Sequence, residues 1–222
     1  MPQVPGLPFL ARLMNVITTA TAGGQSGARN RQNGAVTALS WTTIGTPAGP
    51  LSAGCSDAGL AAVRFGGPPS QAPTAGTGGT PAARPGALAE TRVQLAEYFT
   101  GQRRAFDVPI DWSAVSPSQY QVLSVLFDSV GYGDTITYGA LARRAGVAHQ
   151  ERDGTAALPA RVVGQIMGSN PIPVIVPCHR VVAGNGLGGF SGGIGPELKR
   201  WLLIFEGALP PTLDWSPDGP PG

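Results

Sequence analysis

Residues 159–182 read PARVVGQIMGSNPIPVIVPCHRVV, and the organisation of the chain follows from how this stretch is parsed. Pro159 suits the first turn of a helix, where its missing N–H costs nothing. Val163, Ile166 and Met167 recur at helical spacing and give that helix a core face. Ala160, Gly164 and Gly168 fall at i, i+4 and i+8 and make a stripe without bulk. An interior glycine costs about 1 kcal/mol against alanine. Close approach to a flat surface, a DNA groove or a neighbouring helix, would offset that. Asn170-Pro171 ends the helix. PVIV, residues 173–176, reads as a short buried strand that carries Cys178 on a rigid support. Pro177 fixes the backbone before the cysteine, and His179 and Arg180 follow it. Such positive or proton-accepting neighbours lower a thiol pKa, and thiolate is the nucleophile. The blander alternative is a buried structural cysteine beside a surface histidine. The loop GNGLGGFSGG, residues 184–193, lets a ligand approach backbone closely or is simply flexible.

Upstream, Thr137 is placed to cap a helix over YGALARRAG, ending at Gly146. Ser116 before Pro117 fits an N-cap, and Val122, Leu123, Leu126 and Phe127 give the helix that follows one apolar face; Gly131 and Gly133 stop it. FDVPIDW is extended. A further helix begins near Glu90, with Val93, Ala96, Leu95 and Phe99 as its apolar groups. AVTALSW, GPLSAGCS and LAAVRF read as three short strands parted by Gly and Pro turns. Downstream, LKRWLLIFEG is an amphipathic helix stopped by Gly207, and Glu206 is an ordinary exposed acid at its end.

The predicted layout is a leader over 1–34 and a small α/β unit over 35–115 containing a low-complexity linker, 66–88. A mostly helical unit over 116–208 and a loose tail over 209–222 complete it. With 33 Gly and 22 Pro, part of the chain is expected to lack regular structure. No apolar run is long enough to span a bilayer, and Pro5, Pro8 and Arg12 spoil the start as a signal peptide. Two cysteines cannot make a disulfide framework, which points to a reducing, cytoplasmic compartment. A net charge of +2 excludes a global basic field, so any nucleic-acid contact must be local.

The segment around Cys178 resembles the active-site region of the O6-alkylguanine-DNA alkyltransferases. Their Pro-Cys-His-Arg signature, preceded by Asn-Pro and an apolar run, stands here as Asn170-Pro171, VIV and Pro177-Cys178-His179-Arg180; their Ser-Gly-Gly loop stands as Ser191-Gly192-Gly193. TYGALAR before the site and RWLLIFEG after it extend the match, which is strong from Tyr132 onward and weaker back to Leu51.

The resemblance implies an α/β N-terminal domain of ribonuclease-H-like type, followed by a mostly helical C-terminal domain with a helix-turn-helix. It implies repair of O6-alkylguanine, and of O4-alkylthymine, by irreversible single-turnover transfer of the alkyl group to Cys178. His179 would take the thiol proton through a water, Glu206 would orient His179, and Tyr138 would hydrogen-bond the base. Arg161 would enter the base stack as the flipped nucleotide leaves. Thr137, Ala160, Gly164 and Arg143 would lie along double-stranded DNA in the minor groove; Arg143, with Arg144, would touch phosphates or stay solvated. Asn170, Arg180, Val181, Phe190, Ser191 and Gly192 would form the base pocket. No cofactor and no membrane partner are implied, and the protein is expected to be monomeric. Some relatives hold zinc in the N-terminal unit; Cys55 matches one ligand, but the other ligands are absent, so no metal is expected.

The sequence departs from the family pattern in three places. VAHQERDGTAALP, residues 147–159, is longer than usual between the two helices. Ser118 and Leu123 stand where aromatics are common, and Phe190 stands where tyrosine is frequent. Two other readings compete. A lesion sensor without chemistry would lack the acceptor cysteine. A cysteine hydrolase would need an oxyanion hole, which nothing in the sequence suggests.

Overall fold

The computed structural model describes residues 39–69, 86–147, 150–152, 155–188, 195–213 and 215–220. The leader, most of the linker and the loop residues Phe190, Ser191 and Gly192 lie outside the described residues.

The N-terminal part is an antiparallel sheet of β1 (Ser40–Thr46), β2 (Gly49–Cys55) and β3 (Leu60–Phe65) in sequence order, with helix α1 (Ala87–Phe99) packed on it. The first strand was expected over 35–41 and lies later. Thr42, Thr43 and Ile44 favour extended backbone, and a two-residue turn at Pro47-Ala48 fixes the register by pairing Thr46 with Gly49. Trp41 pairs with Gly54, and its indole lies on that glycine: a Cβ there would sit 2.9 Å from the ring. The central strand is buried from Leu51 to Cys55. The segment FDVPIDW extends the β3 edge, with Leu60 N–H donating to Pro109 O and Asp111 N–H to Leu60 O, both at 2.8 Å. On α1 the buried groups are Ala87, Thr91, Gln94, Leu95, Tyr98 and Phe99. Val93, expected on the apolar face, is 51 % exposed. Its place is taken by Gln94, which is buried because Asp107 pairs with its side-chain amide.

The C-terminal part begins with α2 (Pro117–Ser129). Ser116 Oγ accepts from Gln119 N–H, and the Gln119 side chain accepts from Ser116 N–H, a capping box worth about 1 kcal/mol. Next come β4 (Ile136–Thr137) and α3 (Tyr138–Arg144), capped by Thr137 Oγ1 accepting from Ala140 N–H at 3.2 Å. The long connection forms an antiparallel hairpin of β5 (Gln150–Arg152) and β6 (Thr155–Ala157), and α4 (Pro159–Gly168) follows. As expected, Val163, Ile166 and Met167 face the core.

PVIV is not a strand. Residues 172–176 form a buried turn in which Val174 has φ 73°, rare for a β-branched residue. Asn170 holds the turn from both ends: its Nδ2 donates to Val176 O at 2.9 Å and its Oδ1 accepts from Ile172 N–H at 3.0 Å. Pro171, Pro173 and Pro177 carry no N–H, which leaves little for a sheet to use. Val63 N–H of β3 donates to Pro171 O at 2.8 Å and ties the two parts together. The strand of this region is instead β7 (Val181–Val182), parallel to β4, after a 3-10 turn over Cys178–Arg180. The last helix is α5 (Pro196–Phe205). The tail, expected to be loose, folds back over its described residues. Trp201 Nε1 donates to Ser216 O at 2.7 Å, and the Cα of Gly219 comes so close to Pro47 O that a side chain would clash.

Candidate active site

Cys178 opens the 3-10 turn, which Arg180 N–H closes by donating to Pro177 O at 2.9 Å. The turn buries three polar side chains in succession: Cys178 is 1 % exposed, His179 0 % and Arg180 5 %. Such burial is tolerated only where partners are supplied, and Glu206 supplies most of them. Far from being an exposed acid, it is 5 % exposed and caps α5. Its Oε1 accepts from His179 Nε2 at 3.0 Å, Arg180 Nη2 at 2.8 Å and Tyr98 Oη at 2.7 Å; its Oε2 accepts from Arg180 Nε at 2.8 Å. Burial opposes ionisation of Glu206, but His179 and Arg180 outweigh it and hold the carboxyl well below the usual range.

An ionised carboxylate can only accept, so His179 carries its proton on Nε2. Burial, with Arg180 and Lys199 nearby, pushes the imidazole below its ordinary pKa against the pull of Glu206. The ring is therefore neutral at pH 7. Its Nδ1 has no protein partner among the described residues.

The cysteine corrects the sequence reading. Basic neighbours were expected to lower its pKa; burial instead pushes the thiol up, and the Asn170 hydrogen bond, Lys199 and backbone amides offset only part of this. At rest the pair is a thiol beside a neutral imidazole. This is the state from which a base-assisted nucleophile starts.

Lys199 was missed by the sequence reading. It is 0 % exposed, its Nζ donates to Val181 O at 2.6 Å and lies 5.6 Å from the centre of the Tyr138 ring. Burial lowers it to about 8, opposed by the charge of Cys178. Tyr98 was missed too, since nothing local marks a tyrosine on α1 as a neighbour of Glu206. Tyr138 is half-buried at the start of α3, and burial and the Cys178 charge raise its pKa, so it stays a donor. Gly188, at φ 71°, passes close under the same ring: a Cβ there would sit 3.0 Å from it. Gly164 of α4 also faces the ring: a Cβ there would lie 4.0 Å from it.

The structure thus brings Cys178, His179, Glu206, Asn170, Arg180, Val181 and Tyr138 into one neighbourhood. Arg180, expected in the base pocket, directs its guanidinium to Glu206 and to Val130 O at 2.7 Å. Arg161 is exposed in the first turn of α4, Ala160 and Gly164 are half-buried along it, and Arg143 is exposed at the end of α3. Arg144 donates to Ser129 O and Oγ at 3.3 and 3.1 Å. Among the described residues, no three His, Cys, Asp or Glu side chains come together as a metal site.

The chain matches two family models, the ribonuclease-like domain of 6-O-methylguanine DNA methyltransferase over residues 39–112 and its DNA binding domain over 117–208. It is 40 % identical over 136 residues to a methylated-DNA--protein-cysteine methyltransferase of Methanopyrus kandleri, covering 61 % of this chain and 92 % of that protein. It is 41 % identical over 127 residues to a DNA base-flipping protein of Thermus thermophilus, covering 56 % and 77 %. Among solved structures, Mycobacterium tuberculosis OGT in complex with DNA superposes with a TM-score of 0.60 at 34 % identity, covering 75 % of this chain and 92 % of that one. With both family models matched in order and the buried Cys178-His179-Glu206 cluster lying within the second, the chain belongs to the 6-O-methylguanine DNA methyltransferase family.

Proposed function

We propose that this protein repairs O6-alkylguanine in double-stranded DNA by moving the alkyl group onto Cys178 in one irreversible step. The observation that carries the reading is the buried row Cys178-His179-Glu206, in which a neutral histidine with a bare Nδ1 follows a protonated thiol. His179, through a bridging water, takes the thiol proton, and the imidazolium is held by Glu206. The thiolate attacks the alkyl carbon; the S–C bond forms, the C–O6 bond breaks, and its electron pair passes to the purine, which regains a proton. A hydrogen bond from Tyr138 to the base stabilises the charge that develops there. Lys199 favours the thiolate, and Asn170 hydrogen-bonds it. The product is a thioether, a poor leaving group, so each molecule acts once and no cofactor is needed.

The target carbon is unreachable in a stacked duplex, so the nucleotide must be flipped out. On this reading α3 and α4 act as a helix-turn-helix pair with the β5–β6 hairpin between them. The low stripe of Ala160 and Gly164 admits the minor groove, Arg161 fills the gap in the stack, and Thr137 and Arg143 lie along the backbone. Val181, with Phe190, Ser191 and Gly192 outside the described residues, would form the base pocket. The protein works as a monomer, and O4-alkylthymine is a second substrate.

A second reading is binding without chemistry, favoured by the 41 % identical relative named for base flipping. Intact-protein mass after mixing with duplex DNA carrying O6-methylguanine separates the two. One methyl per molecule on the wild type and none on Cys178→Ala is the expected result. No gain on folded, DNA-binding wild type would leave the binding reading in its place.

A further inference from the structure

We propose that Tyr98 is a positioning residue for alkyl transfer, through which the N-terminal helix α1 sets the proton affinity of His179. The inference rests on the transfer reading above and extends it to a residue outside the C-terminal segment that carries the reacting groups.

Tyr98 is 0 % exposed and its ring lies among Phe99, Phe106, Tyr132 and Phe205, with centroids 5.0 to 6.1 Å away. Packing alone would be satisfied by phenylalanine. The hydroxyl instead reaches Glu206 Oε1 at 2.7 Å, shorter than the contact His179 makes with the same oxygen at 3.0 Å. Burial and the Glu206 charge raise the phenol well above its ordinary pKa, so it stays protonated and donates to Glu206 at neutral pH.

Oε1 therefore serves three donors. Each draws on the same negative charge, and a donor that never releases its proton leaves less for the one that must gain a proton on its other nitrogen during the reaction. The groups facing Glu206 are Tyr98 from α1, Tyr132 from the α2–β4 loop, and His179 and Arg180 from the 3-10 turn. Those facing His179 are Glu206, Arg180 and Lys199 of α5. Besides His179 itself, the neutral groups among these are Tyr98 and Tyr132, and of the two tyrosines it is Tyr98 that hydrogen-bonds the carboxylate; the Tyr132 hydroxyl donates to Phe205 O at 3.1 Å. Tyr98 thus lowers the basicity of the Glu206-His179 couple and keeps His179 neutral, ready to accept.

Tyr98→Phe removes the oxygen and keeps the ring. His179 then gains proton affinity, and the acid limb of the transfer-rate profile moves to higher pH by about half to one unit. The chain has two histidines, so in a His149→Gln background the imidazole titration of His179 can be followed by NMR without DNA. It should rise by the same amount. Phe106→Leu, which disturbs the same ring cluster but leaves the hydroxyl, should lower the melting midpoint and leave both titrations in place. Acid limb and His179 titration unmoved in Tyr98→Phe would overturn the proposal, whether the rate is unchanged or falls equally at all pH. A Tyr98→Phe protein that does not fold would overturn it as well, making the hydroxyl structural. A wild type that takes up no methyl group would sink the transfer reading itself, while the NMR titration would still report on Tyr98.

Discussion

Arg180 grips Glu206 with two nitrogens, Nε to Oε2 and Nη2 to Oε1, both at 2.8 Å, and the pair is sealed from solvent. A bidentate contact of this kind fixes the carboxylate plane as well as its charge. Breaking it leaves an uncompensated buried charge, so Arg180→Met should cost about 3–5 kcal/mol, read from denaturant unfolding. Arg180→Lys should recover only part of that, since an ammonium cannot reproduce the fork.

The same pair makes stability depend on acid. Glu206 is held below its ordinary pKa in the folded state. Its contribution is complete above the unfolded carboxylate value, about 4.3, and is lost as pH falls through the lower folded value. Wild type should therefore destabilise steadily below about pH 4. In Glu206→Gln that part of the acid sensitivity should vanish, although the variant starts less stable. An equal acid slope in the two proteins would remove Glu206 from this account.

Lys199 places a positive charge by the thiol and is itself lowered to about 8. Lys199→Met keeps much of the side-chain volume and removes the charge. Transfer at pH 7 should slow by about tenfold, the equivalent of about 1.4 kcal/mol, because forming the thiolate becomes harder. The loss should shrink above pH 8, where the wild-type lysine is also neutral. A loss independent of pH would mean that Lys199 acts by packing alone.

Asn170 bonds both ends of the 172–176 turn and the Cys178 thiol. Asn170→Ala should cost about 2–4 kcal/mol through the two backbone groups left unsatisfied. The same site should register the reaction. Cys178 is 1 % exposed, and overpacking a buried site by one methyl costs about 1–3 kcal/mol. Thermal melts before and after methylation should show a drop of several degrees; an unchanged or raised midpoint would refute this.

Arg161 is exposed in the first turn of α4. Arg161→Ala should leave unfolding within about 0.5 kcal/mol of wild type while slowing transfer from duplex DNA. If Arg161 props open the stack, transfer from a single strand carrying the same lesion should be much less affected. Equal losses on both substrates would point to a general phosphate contact.

Much of the helical frame could be read locally. Ser116 before Pro117, Thr137 before Tyr138, and Pro159 at a helix start each act through backbone within one turn, and each lies where expected. What was misread turned on other contacts, some near in sequence and some far. PVIV has the composition of a strand, yet three prolines and the Asn170 side chain fold it into a turn. The first strand slid to Ser40–Thr46 because its register is set by the Pro47-Ala48 turn and its pairing with β2. Cys178 and His179 announce themselves as a motif, but Tyr98 is 108 positions from the carboxylate it touches and Lys199 is 18 from its carbonyl. Only the closed fold brings them there.

The short ladder of β4 and β7 pairs Ile136 with Val181 and Thr137 with Val182. Tyr138 follows one side of it directly, and Cys178 precedes the other by three residues. Tyr138 and Cys178, the proposed base donor and acceptor, are thus gauged from the same two rungs, independently of the chain length between them. The hairpin of β5 and β6 lies within that interval and lengthens it without altering the gauge. The connection between α3 and α4 is therefore where this scaffold can be extended or shortened, by evolution or by an engineer, with the reacting groups left in place.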